Sequence, residues 1–305
     1  MKQFKKKKQK GFTLIELLVS MAITITILGV LIGVTRVAID AWQTSQDKAR
    51  TSRIAKEVID TVSRDLEGIV VRTGNDAEWL SIKTASTAGD QLGPDSGGVK
   101  SIKNPLEFNF YSAVTDRYNG QINEDGVDLG GDVSLIRLTV VHQDQVVENG
   151  DFPVFAIYRE RIDPKEAYDD HLGKNDITGG KASTEIHERA NYLAENVYDF
   201  NITFTFEFTK DNGAMEYEKV SISATGSDTT LSMKDNKVLK NGSELESKSG
   251  AKNGRLSRAD ITVLVLTDAG MESLSRRPIS SDADLAKFLN EYSYTFSKSV
   301  VLPRP

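Results

Sequence analysis

The chain has no cysteine, three histidines and seven prolines in 305 residues. Without cysteine there is no disulfide, no thiolate nucleophile and no sulfur-bound metal. His142, His171 and His187 stand far apart, without the H-x-x-x-H spacing that sets two imidazoles on one helix face, and read as surface histidines. There is no G-x-x-x-x-G-K-S/T phosphate loop and no nucleophile motif, so the sequence offers no catalytic constellation and calls for no cofactor. After the first ten residues acids outnumber bases, 44 Asp and Glu against 32 Lys and Arg. The whole chain carries −6, and setting aside the six lysines before Gly11 leaves −12. An acidic body argues against nucleic acid as a partner, since phosphate binding needs clustered Lys and Arg. Oxygen ligands do occur together at Asn123, Asp125, Asp128 and Asp132, around Gly126. They lack the full D-x-D-x-D-G…E order of a calcium loop, so the stretch reads as a solvated acidic loop, with Asp125, Asp128 and Asp132 as the weak calcium candidates.

What the chain does have stands at its start. Lys2, Lys5, Lys6, Lys7, Lys8 and Lys10 precede Gly11, Phe12 and an apolar span to Thr35 in which Glu16 is the single charged residue. At ~1.5 Å per residue this span is long enough to cross a hydrocarbon core of ~30 Å, and the lysines hold its first end on the cytoplasmic side. A secretory signal has its small residue after the apolar region. Here Gly11 comes before it, so a cut at Gly11 leaves the hydrophobic helix on the mature protein. A carboxylate inside such a span costs about 2–3 kcal/mol at the centre and marks a functional residue. No basic residue follows Gly11 until Arg36. The natural partner of Glu16 is therefore on another molecule, such as the new N-terminal amine of a neighbour.

The segment KGFTLIELLVS resembles the class III signal of type IV pilins and of type II secretion pseudopilins. That resemblance implies cleavage between Gly11 and Phe12 by a prepilin peptidase and N-methylation of Phe12. It also implies a role for Glu16 in aligning an incoming subunit in the filament. The expected location is the inner membrane, single-pass, with the C-terminal domain in the periplasm or at the cell exterior. The implied partners are the peptidase, other pilin or pseudopilin subunits and an inner-membrane assembly platform.

Beyond the span, Trp42, Ser45, Ala49, Ala55, Val58, Ile59, Val62, Leu66 and Ile69 recur mostly three or four apart, with charges on the other faces. This predicts an amphipathic continuation of the helix to Glu67, with Gly68 as the stop and Trp42 as an interfacial anchor or a packing residue. The expected organisation is a leader at 1–11, an assembly helix at 12–35, a stalk helix at 36–67 and a β-rich body at 68–305. Short strands are predicted at IVVRT and Leu80–Lys83, and longer ones at LEFNFYSA, VSLIRLTVVHQ, PVFAIYRERI, EYEKVSISATG, RADITVLVLTD and SYTFSKSVVLP. The clearest alternates Ile202, Phe204, Phe206 and Phe208 against Asn201, Thr203, Thr205 and Glu207, a half-buried antiparallel strand. A short helix is expected from Asp282, capped by Ser281. Polar, glycine-containing stretches at about 119–132, 163–180 and 226–254 read as inserted loops, the last with a hairpin near Lys240–Gly242. The fold class is α+β and pilin-like: one long N-terminal helix packed on an antiparallel sheet domain.

The order of these elements resembles the J-type minor pseudopilin of type II secretion and the related W-type minor pilins. This implies a tip or initiation subunit, and the 294 residues after Gly11 are many for a shaft subunit. The competing reading is a binding module on the same filament, an adhesin or a DNA-uptake subunit. The −12 balance speaks against DNA.

Overall fold

The computed structural model describes residues 13–72, 77–84, 94–95, 98–99, 106–113, 132–143, 154–177, 186, 188–210, 212–225, 228–235, 237–248, 250–252, 254–276, 279 and 281–303. Helix α1 runs Leu14–Glu67. The chain divides into two compact units, Met1–Ala49 and Arg50–Pro305. In the first, the described residues are the start of α1. The second holds all the strands.

Among the described residues fourteen strands follow α1: β1 Glu78–Thr84, β2 Pro94–Asp95, β3 Gly98–Val99, β4 Leu106–Ser112, β5 Ser134–Gln143, β6 Val154–Ile162, β7 Tyr192–Glu195, β8 Val197–Thr209, β9 Met215–Ser223, β10 Thr229–Lys234, β11 Lys237–Lys240, β12 Ser243–Glu244, β13 Arg255–Leu266 and β14 Ser293–Val301. Three further helices are α2 Pro164–Glu166, α3 Asp268–Arg276 and α4 Asp282–Tyr292. The large sheet has the order β12-β11-β10-β1-β4-β5-β6-β7 and the small one β14-β13-β8-β9, with β2 and β3 pairing alone. Every one of these pairings is antiparallel. The α+β, pilin-like class expected from the sequence is what the chain forms.

The core lies between the sheets and the second half of α1. Thr51, Ala55, Val58, Ile59, Val62 and Leu66 form the buried stripe of the helix, spaced as its period requires. From the small sheet, β8 contributes Phe200, Phe204, Phe206 and Phe208, and from the large sheet β4 contributes Phe108 and Phe110, all fully buried. Burial of each ring stabilises by roughly 1.5–3 kcal/mol. Phe108 meets Phe204 edge-on at 5.9 Å, a contact that joins the two sheets. Gly254 has to be glycine, because a Cβ there would stand 2.5 Å from the Phe208 ring. A smaller cluster of Phe155, Tyr198, Leu266, Leu274 and Phe288 seats α3 and α4. Ser281 caps α4 through the Asp284 N–H at 3.2 Å, as expected.

Several expectations differ from what forms. The described part of IVVRT, residues 69–72, is not a strand; it reduces to a single bridge between Ile69 and Ser112, flanked by Val70 N–H donating to Tyr111 O at 2.9 Å. The polar stretch from 163 folds back on β1 through residue 177. Asp163 caps α2, residues Ala167–His171 make a π turn, and Ala167, His171 and Ile177 are buried. His171 is thus an interior histidine, 2% exposed, with Nδ1 3.1 Å from Ile177 O. The side chain of His142 and all of His187 lie outside the described residues. The stretch from 226 is not all loop: β10 to β12 lie in it, complete the large sheet and bring Leu231, Met233 and Val238 into the core. The hairpin near Lys240–Gly242 is present, its turn formed by Asn241 (φ 50°) and Gly242 (φ 77°), both left-handed as a type I′ turn needs. Residues 119–131 lie outside the described residues.

Candidate functional site: the exposed apolar half of helix α1

The first half of α1 has the composition of a core helix and no core around it. From Leu14 to Ile39 its large hydrophobic residues are all exposed, Leu14 at 81% and Ile25 at 69%. An 18-residue window within α1 is apolar enough to cross a membrane, and none of it is buried within the chain. Its hydroxyls do not spoil that surface. Ser20 donates to Leu17 O, Thr24 to Ser20 O, Thr26 to Ala22 O and Thr35 to Leu31 O, all at 2.8–2.9 Å. Each polar hydrogen is returned to the helix backbone, which leaves the outer surface hydrocarbon.

Glu16 has a local partner that the sequence reading did not assign. Thr13 N–H and Thr13 Oγ1 both donate to Glu16 Oε2 at 2.9 Å, and Glu16 N–H points to Thr13 Oγ1 at 3.4 Å. This is a reciprocal capping box, and its signature T-x-x-E is present as Thr13-Leu14-Ile15-Glu16. The carboxylate therefore covers one free amide at the helix start through Oε2, while its other oxygen accepts no bond among the described residues. Gly11 and Phe12 lie outside the described residues.

Residues 6–35 match the prokaryotic N-terminal methylation motif. This motif is the class III signal, and it supports a type IV pilin-like or pseudopilin precursor. No curated protein and no solved structure matches the chain. The match ends at residue 35, so the methylation motif covers most of the exposed apolar stretch and none of the strands. It points to a structural filament subunit, to processing by prepilin peptidase and to assembly with other pilins. With the apolar helix it is consistent with membrane anchoring.

Within the second unit, polar contacts fix the continuation of α1. Arg159 of β6 grips Asp65 with two parallel bonds, Nε to Oδ2 at 2.6 Å and a terminal nitrogen to Oδ1 at 2.7 Å. Ser112 Oγ donates to Asp65 O at 2.6 Å. Arg50 pairs with Glu195 at 2.7 Å and with Asp268, and Asn196 donates to Asp268 at 3.2 Å. The Arg50 pairs are half exposed and contribute little each, whereas the Asp65 carboxylate is only 2% exposed. Among the described residues there is no group of three or more His, Asp and Glu side chains placed to hold a metal. Of the calcium candidates Asp132 is exposed, and Asp125 and Asp128 lie outside the described residues.

Elsewhere, Glu78 at the start of β1 is buried, and burial pushes its carboxyl above the usual range, against the Ile177 N–H that it accepts at 2.9 Å. Tyr111 is pushed up to about 12, mainly by burial.

Proposed function

We propose that the protein is a minor, tip or initiation subunit of a type IV-like filament, as in type II secretion or type IV pilus assembly. Prepilin peptidase cuts it between Gly11 and Phe12, and Phe12 is then N-methylated. The methylation motif at residues 6–35, together with the first half of α1, whose large apolar residues are all exposed, carries this reading. Before assembly the helix lies in the inner membrane, with the β-rich body in the periplasm or at the cell exterior. On assembly it leaves lipid for the filament, where neighbouring helices cover the same hydrocarbon surface. The free oxygen of Glu16 pairs with the methylated amine of an adjacent subunit. That pairing sets one axial register, because a charge pair in an apolar medium is favourable only when the partners meet. The assembly platform and the other subunits are the remaining partners.

The test is the intact mass and N-terminal sequence of the membrane-extracted protein made together with a prepilin peptidase. Loss of residues 1–11 with one added methyl on Phe12 is the expected result. An uncut chain would remove the filament reading and leave a tethered binding module.

A further inference from the structure

The four edges of the two larger sheets are not alike. The large sheet ends on one side in β12, two residues long, and on the other in β7, four residues long with a register shift opposite Ile157 and Tyr158. On β9, Glu216 pairs with Lys210 at 3.6 Å and the Glu218 carboxylate accepts the Lys248 N–H at 3.2 Å, so charges and a neighbouring segment flank that edge. Short strands, irregular register, charge and cover are how folded chains keep sheet edges from pairing with other chains.

β14 is long and regular and carries a single charge. Its nine residues pair with β13 without a register shift. They include no proline and one lysine, Lys298, whose ammonium lies 3.1 Å from Asp60 of α1. Two bonds fix the phase of the ladder: Leu302 N–H donates to Ser257 O, and Thr267 N–H donates to Tyr292 O. By antiparallel alternation, Tyr294, Phe296, Lys298 and Val300 exchange bonds with β13, while Thr295, Ser297, Ser299 and Val301 turn N–H and C=O outward. These four residues are exposed, Val301 at 78%, and among the described residues their outward backbone groups have no partner. Their side chains are small, so an approaching backbone meets no bulk.

We propose that β14 is a strand-addition site that takes an extended segment of a different pilin-type subunit as the fifth strand of the small sheet. It rests on the filament reading for the nature of the partner. Main-chain bonds to the four outward residues supply affinity, and side chains at alternate positions supply specificity. On the core side of β14, Tyr294 and Phe296 are half-buried, so the added segment carries apolar residues at alternate positions facing them. A second copy of β14 fits less well, because it would set Lys298 into that row.

The test is amide hydrogen exchange of segment 293–301 in the full-length chain, purified in detergent, in membranes of the producing cells and in filaments sheared from them. The outward amides exchange freely in the purified chain and at least tenfold more slowly in the native fractions. Ser297→Pro removes an outward N–H and no ladder bond, so it folds, loses the protection and falls at least tenfold in the filament fraction. Ser221→Pro does the same to β9, whose Ser221 also faces away from β8 by the phase of the Ala224 N–H to Phe200 O bond, and it retains both. Free exchange of 293–301 in every native fraction overturns the proposal, as does equal loss in the two proline variants. Protection in membranes with no protein in sheared filaments leaves the edge standing and removes the filament reading instead.

Discussion

Asp65 sits inside a helix with its carboxylate nearly out of reach of water, so its charge is tolerable only because Arg159 meets it with two bonds. Removing one member of such a pair typically costs about 3–5 kcal/mol, because the other is left buried and unmatched. Asp65→Ala is therefore expected to lower the stability of the detergent-solubilised chain by about 3 kcal/mol in urea unfolding; a loss below about 1 kcal/mol would show that the pair does not hold α1. Glu78 behaves in the opposite sense. Its folded carboxyl titrates above the free value of 4.5, so the protonated form is the one that folding favours. The stability it contributes is complete below pH 4.5 and is lost as pH rises through the higher folded value. Glu78→Gln keeps an acceptor for the Ile177 N–H and has no charge to bury. Its melting temperature should gain on the parent as pH rises from 4.5 towards neutrality, and a constant gap would contradict the assignment. Neither residue was legible as a site, since the partners lie far away in the chain, Arg159 94 positions from Asp65 and Ile177 99 from Glu78.

At the scale of elements, legibility followed the pattern of burial. The stripe Ala55, Val58, Ile59, Val62 and Leu66 and the alternation of β8 were readable because each element has one wet face. Leu66→Ala at the end of that stripe should cost about 2–5 kcal/mol, the usual range for a buried leucine, and a smaller loss in thermal unfolding would mean the site collapses. β1 gave a weak signal for the opposite reason. Six of its seven residues are buried on both faces, Ser81 and Thr84 among them, so no alternation survives. Residues 163–177 and 228–252 looked like loops because their polar side chains are mostly spent on caps, turns and sheet rims. The buried Ala167, His171, Ile177, Leu231, Met233 and Val238 are too sparse to form a period. At the helix start, the motif was legible and the capping box was not, because the eye goes to the charge of Glu16 before the hydroxyl of Thr13. Gly242, in its left-handed turn, is the position where an alanine should cost about 1 kcal/mol through backbone strain alone.

At the scale of the whole molecule, a filament subunit has to satisfy two environments in turn, lipid and its neighbours, with one unchanged apolar surface. Glu16→Ala tests which environment the charge serves. The variant should insert and be processed as the parent is, and be depleted from sheared filaments; normal incorporation would remove the intersubunit pair from the mechanism. The order of the large sheet carries a different kind of consequence. β1 finds one neighbour soon after it in the chain, β4, and waits for the other, β10, whose Thr229 O accepts from Thr84 across 145 positions. A ribosome adding about 5–20 residues per second needs roughly 7–30 s to make that interval. Throughout that time the nascent chain exposes the long side of a half-built sheet, with Leu80 and Ile82 uncovered beside it. The body of this protein is therefore at its most vulnerable not when unfolded but between the completion of β4 at Ser112 and the arrival of β10 at Thr229, and a chain that stops in that interval is an aggregation seed rather than a smaller subunit.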